Sequence, residues 1–79
     1  MARVLLFGRL ADLAGWRERQ VEAESLVALR ADLSKADPDL GEALRGPSVQ
    51  VALDKVLVRG DRTLTPDSEV AFLPPMSGG

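Results

Sequence analysis

The chain has 79 residues, enough for one small domain, and 13 Leu, 8 Val and 2 Phe supply the material for a core. Ten basic side chains against twelve acidic ones leave a net charge of −2, which argues against a nucleic-acid binder with its basic face. Cys, His and Tyr are all absent, which excludes disulfides, a thiol nucleophile, Cys/His zinc sites and a Ser-His-Asp relay.

Val4-Leu5-Leu6-Phe7 is an unbroken apolar run between Arg3 and Gly8, the pattern of a central strand buried on both faces. Leu10, Leu13 and Ala14 follow at i, i+3, i+4 and predict a short helical turn that Gly15 ends. Gln20 to Glu24 alternates polar and apolar residues, as a half-buried strand near a sheet edge does. Ser25 is a favourable N-cap for the main helix, whose apolar stripe is Leu26, Leu29, Leu33 and Ala36, with Arg30, Asp32 and Lys35 off that stripe. Pro38 stops that helix by Asp37, because a residue preceding Pro is pushed out of helical geometry. Asp39 to Arg45 has the composition of one more helical turn, and Gly46-Pro47 breaks the chain after it.

Val49, Val51 and Leu53 alternate with Gln50, Ala52 and Asp54, predicting a half-buried strand. Asp54-Lys55 forms a tight turn into the extended Val56-Leu57-Val58. Arg59 to Arg62 and Thr65-Pro66-Asp67-Ser68 read as further turns, the second with Pro in its favoured second position. Glu69 to Leu73 is the last strand, and Pro74-Pro75 ends it because neither residue can donate to a ladder. The sum is an α+β unit in which one main helix covers one face of a mixed four- or five-stranded sheet, over residues 1–73.

The segment with chemical content is the ending, Pro74-Pro75-Met76-Ser77-Gly78-Gly79. Six residues reach at most about 20 Å. Pro-Pro stiffens the base, and the two glycines make a tip thin enough for a narrow tunnel in another protein. Terminal Gly-Gly arises by chance in about one chain in two hundred, and chain ends are often Gly-rich. Its place directly after a final apolar strand and Pro-Pro favours a functional reading: a flexible tail over 74–79 on a folded domain.

With these residues the chain resembles the small subunits of molybdopterin synthase (the MoaD family), which are ubiquitin-like sulfur carriers of β-grasp fold. The resemblance covers nearly all of the chain. It is carried by Val4 to Phe7 with the Leu10–Gly15 turn, by Thr63 to Leu73, and by the Pro-Pro, apolar, small, Gly-Gly ending. Asp54 stands where Asn is common in the family, and Leu73 where Phe is common.

The resemblance implies that Gly79 is adenylated by an ATP-using, ubiquitin-activating-type enzyme and converted to a thiocarboxylate by a sulfur donor protein. It implies that Met76, Ser77 and Gly78 thread with Pro74 and Pro75 into the large subunit. There sulfur passes to cyclic pyranopterin monophosphate, two carriers building one molybdopterin dithiolene. The chain would then be a non-catalytic co-substrate in an assembly of two small and two large subunits. It would bind no cofactor or metal, and the active-site residues would lie on the large subunit. Phe7, Leu57 and Leu73, with the two prolines, are the candidate partner interface; Leu57 beside a turn and Leu73 at the chain exit are expected to be exposed, while core packing is an equal alternative for Phe7. Other pathways using the same fold and tail are the alternatives: thiamine or cysteine synthesis, tRNA thiolation or conjugation to lysines. A plain interaction module with an incidental Gly-Gly is a third reading.

The apolar start is too short for a signal peptide, and no stretch nears the roughly 20 residues of a membrane span, so a cytoplasmic protein without membrane or nucleic-acid partners is expected. Gly41-x-x-x-x-Gly46 resembles half a phosphate loop but lacks its Lys. The pairs Glu22/Glu24 and Asp37/Asp39, the run Arg17-Glu18-Arg19 and both lysines read as solvated surface, and Trp16 as a core or rim residue.

Overall fold

The computed structural model describes residues 1–75. Its elements are β1 (Ala2–Leu6), α1 (Arg9–Ala14), β2 (Glu18–Val21), α2 (Leu26–Ala36), α3 (Pro38–Leu44), β3 (Gln50–Leu53), β4 (Val56–Val58) and β5 (Glu69–Leu73). The strands form one sheet in the order β2-β1-β5-β3-β4. β5 lies between β1, to which it is parallel, and β3, to which it is antiparallel; β1–β2 and β3–β4 are antiparallel. A mixed sheet whose first and last strands lie side by side at its centre, with helices on one face, is the β-grasp arrangement expected from the sequence.

The core fills the space between that face and the helices. Ala2, Val4 and Leu6 of β1, Val70 and Phe72 of β5 and Val51 of β3 meet Leu26, Leu29 and Leu33 of α2 and Leu40 and Leu44 of α3. Phe72, Val4, Val70 and Leu29 are completely shielded from water. β1 is central, as predicted, but it is buried on one face only: Val4 and Leu6 are buried, Leu5 is half-buried and Phe7 is exposed. The reason is layering. Every helix packs on the same side, so nothing covers the other.

Local signals placed the helices well. Gly15 closes α1 at φ +84°, and its N–H donates to the Ala11 carbonyl. The Ser25 hydroxyl caps α2 by accepting from Ala28 N–H at 3.1 Å, and Asp61 Oδ1 accepts from Val27 N–H at 3.0 Å. Asp37 ends α2 and caps α3, its carboxylate accepting from Leu40 N–H at 3.2 Å, with Pro38 in the first turn. Two stripe assignments need correction. In α1 the buried pair is Leu10 and Ala11, while Leu13 is exposed; in α2, Ala36 is exposed. The short α1 meets the core along a single turn, and α2 hands its end over to α3, which takes the contact Ala36 was expected to make.

Gly41, in the expected helical turn, is a packing residue. A Cβ there would lie 2.6 Å from the Ser34 Cα on α2, as well as against its hydroxyl. The two helices touch only because this position has no side chain. Arg30, expected on the solvent side of α2, is half-buried; its guanidinium donates to the Leu44 carbonyl at 3.2 Å and lies 5.6 Å from the Phe72 ring centroid. Trp16 is a rim residue packed on the core, with the Arg19 guanidinium 4.4 Å from its ring centroid. Glu18 and Arg19 lie in β2, which runs from Glu18 to Val21 at the sheet edge rather than from Gln20 to Glu24. Pairing with β1 fixes that register, since Leu5 lies opposite Glu18.

The Asp54-Lys55 turn joins β3 to β4 through two residues, at φ +50° and +71°. A two-residue hairpin needs positive φ at both central positions, which favours Asn or Gly over Lys. Asp54 is anchored to β5: its N–H donates to the Glu69 carbonyl at 2.8 Å, and its carboxylate accepts from the Glu69 N–H at 2.9 Å. Lys55 has no such anchor among the described residues. Lys55→Gly is therefore expected to stabilise the fold by about 0.5–1 kcal/mol, read as a rise in Tm of roughly 2–8 °C. Gly41→Ala is expected to destabilise it by about 2–3 kcal/mol in urea unfolding; an unchanged midpoint would show that α2 and α3 separate without cost.

Candidate functional site

The pleat of the sheet leaves a second face, away from the helices. Residues that neighbour one another across the strands share a face. Glu18, Leu5, Ala71, Ala52 and Leu57 are successive partners from β2 to β4 and form one row on the open side. At the usual strand spacing its apolar part, Leu5 to Leu57, spans about 14 Å. Ala52 and Ala71 are only 8% exposed yet stand apart from the core cluster. They form the floor of the row, shielded by taller neighbours. Leu57 is 59% exposed at one end, and half-buried Leu5 stands towards the other.

The three candidate interface residues belong to this face. Leu73 lies two residues beyond Ala71 on β5, opposite Gln50. It was expected to be exposed at the chain exit but is half-buried, because β5 is flanked on both sides. Phe7 follows β1, is 45% exposed, and lines a groove with Leu5, Arg3 and Glu18. A core position had been an equal alternative for Phe7, and the structure decides for the surface. Leu57 and Leu73 are separated by β3, so the three residues mark corners of one face rather than a cluster in contact.

Sequence reasoning missed Leu5, Ala52 and Ala71. The alternation of β3 was the available signal for Ala52. Leu5 was hidden by the expectation that β1 was covered on both sides. Also missed was a polar border. Arg3 Nη2 lies 2.5 Å from Glu69 Oε1, and Arg3 Nε lies 3.7 Å from Glu18 Oε2, so one guanidinium ties β2, β1 and β5 together on the open face. The Glu69 hydrogen bond, then the charges of Glu18 and Glu69, raise the already high pKa of Arg3 further. Arginine remains protonated throughout the accessible pH range, so its charge is a fixed feature of this border.

Pro74 and Pro75 follow β5 directly. Pro74 is half-buried against Gly8, and Pro75 is exposed. Met76, Ser77, Gly78 and Gly79 lie outside the described residues. Among the described residues, no group of three or more carboxylates is placed to hold a metal ion, and no helix is long and apolar enough to cross a membrane. The exposed edge of the apolar face, at the root of the C-terminal segment, is what the described chain offers a partner.

Comparison with known proteins accords with this geometry. The solution structure of small archaeal modifier protein 1 from Methanosarcina acetivorans superposes with a TM-score of 0.87 at 23% identity, covering 99% of this chain and 95% of that one. The crystal structure of Mycobacterium tuberculosis CysO gives 0.81 at 19% identity, covering 96% and 100%. At those identities the likeness establishes the fold, the ubiquitin-like β-grasp. In sequence, the chain is 33% identical over 81 residues, across the full length of both proteins, to the molybdopterin synthase sulfur carrier subunit of Escherichia coli (strain K12). The ThiS family model matches residues 4–79, nearly the whole chain and its ending included, and the chain belongs to the ThiS family.

Proposed function

We propose that this chain is a sulfur carrier that works as the small subunit of a molybdopterin synthase, with the Gly79 carboxylate as its reactive group. The observation that carries this reading is the full-length, 33% identical match to the sulfur carrier subunit of Escherichia coli. The Pro74–Gly79 ending and the apolar face at its root support it.

A C-terminal carboxylate has a pKa of about 3.5, so at neutral pH it is ionised and a poor electrophile. Activation consists of its attack on the α-phosphate of ATP in a separate adenylating enzyme, with pyrophosphate leaving. A donor supplying sulfur at the hydrosulfide level then displaces AMP, leaving a thiocarboxylate on Gly79. In the large subunit this sulfur is transferred to cyclic pyranopterin monophosphate, and the carrier returns to its carboxylate. The chain's own residues bind and deliver: Phe7, Leu57 and Leu73 dock, Pro74 and Pro75 direct the tail, and Met76, Ser77 and Gly78 thread it. ATP is used by the activating enzyme, and this chain binds no cofactor of its own. The assembly is two small and two large subunits in the cytoplasm.

The test is a single-turnover assay. The Gly79 thiocarboxylate form is mixed with a cognate large subunit and cyclic pyranopterin monophosphate, and molybdopterin and the intact mass of the carrier are followed together. Product formation with reversion of the mass to the carboxylate form is the expected result. No product from a competent large subunit assigns the carrier to another pathway, with thiamine, cysteine or tRNA thiolation partners and conjugation to lysines next in line. Deleting Gly79 is expected to abolish transfer while leaving Tm within about 1 °C, since chain ends seldom carry core packing and the core cluster runs from Ala2 to Phe72; transfer by the truncated chain would rule out every carrier reading. Leu57→Asp is expected to weaken binding to the large subunit by about 10- to 100-fold in calorimetry, with folding unchanged because the side chain is already exposed.

A further inference from the structure

Gly8 is the residue at which the first strand, the first helix and the root of the tail meet. Its backbone has φ +56° and ψ −134°. That is close to the mirror image of the extended polyproline conformation, which residues with a Cβ avoid and glycine adopts readily. The conformation is held from the helix side. The Gly8 carbonyl accepts from Ala11 N–H at 3.1 Å and Asp12 N–H at 3.3 Å, and the Phe7 carbonyl accepts from Leu10 N–H at 3.2 Å.

On its other side is Pro74. In the parallel β1–β5 pair, Leu6 lies opposite Phe72, so Gly8 and Pro74 stand at equal distances beyond the last paired residues. An L-Cβ at Gly8 would lie 3.0 Å from Pro74 Cγ, tighter than normal van der Waals contact. The proline ring therefore occupies the space that any other residue at position 8 would fill. It is half-buried there, while Pro75 is exposed.

We propose that Gly8 is a positioning residue for the transfer reaction: a bare backbone seat for the Pro74 ring that sets the direction in which the tail leaves the fold. The proposal rests on the carrier reading for its consequence, because direction matters only if the tail must enter a partner. A ring packed against a fixed backbone restricts the first step of the tail, and Pro75 extends that restriction by one residue. A side chain at position 8 would push the ring away and turn the tip by an amount that grows with distance from the pivot.

The test compares four carriers: wild type, Gly8→Ala, Pro74→Ala and the double variant. Alanine at 74 has no Cγ, so the clash exists only in the Gly8→Ala single variant, whereas backbone strain at position 8 exists in both Gly8→Ala carriers. The first readout needs no partner. The wild-type chain is expected to show an NOE between Gly8 Hα and Pro74 Hγ. The Cα–Hα residual dipolar couplings of Pro75 are expected to change in Gly8→Ala and to return, in the double variant, to the values of Pro74→Ala. The second readout is ATP–pyrophosphate exchange catalysed by the cognate activating enzyme. Gly8→Ala is expected to lower kcat by about 10- to 100-fold with KM altered less than about threefold, and to have little further effect in the Pro74→Ala background. An absent NOE, or a Gly8→Ala deficit of equal size in both backgrounds, overturns the proposal. Should Gly8→Ala not fold, Pro74→Ala alone decides, since couplings at Pro75 unchanged from wild type would mean that the seat does not direct the tail. Wild-type carrier that supports no exchange would refute the carrier reading, while the NOE and couplings would still judge the seat.

Discussion

The parallel pairing of β1 with β5 is the constraint on which the rest of the structure depends. It brings the two ends of the described chain side by side at the centre of the sheet, with Val4 beside Val70 and Leu6 beside Phe72. A parallel pair cannot be closed by a hairpin, so everything between the two strands serves as its connection. The helices of that connection supply the apolar cover for one face, and β3 and β4 complete the far side of the sheet. Because β5 is held by a neighbour on each edge and by Phe72 beneath, its end is among the best anchored points of the molecule. The tail starts from there.

The same layering explains why the site is a face and not a cleft. All three helices lie on one side, so the alternate residues of every strand have no protein cover. The chain handles this with size. Ala52 and Ala71 sit at the middle of the open row, where large side chains would expose a broad apolar stripe, and the bigger residues stand towards its ends and corners. The Arg3, Glu18 and Glu69 border adds charge at one end. This limits the apolar area offered to water while leaving Phe7 and Leu57 prominent enough to anchor a partner.

Most of the fold was legible because its local signals agree. Ser25, Asp37, Pro38 and Gly15 each specify a helix end by a mechanism that acts within a few residues, and each acts as expected. The misreadings came where a neighbour distant in sequence decides. The four consecutive apolar residues Val4 to Phe7 look like a strand covered twice, yet whether cover exists depends on where α2 packs. The reason for a glycine at position 41, the Ser34 backbone on another helix, cannot be seen in the sequence around it. The site divides the same way. Leu57 is legible from its position beside a turn, whereas Phe7 reads equally as core and the alanine floor emerges only from the pairing register of the strands.

The chain has no Cys and no His, so neither a thiol nor an imidazole is available on it. What the fold can then contribute is geometry: a face to bind and a defined origin for the tail. These two requirements pull against each other if the tail is wholly flexible, since docking would then place its root but not its tip. Pro-Pro lengthens the part of the chain that inherits its direction from β5, and a backbone without a side chain at Gly8 lets the first of those prolines lie down against the fold. A fixed root is compatible with glycines further along, since glycine is the most permissive residue for backbone conformation. On the proposed carrier reading, a fixed root reduces the orientational entropy lost when the tail enters a partner.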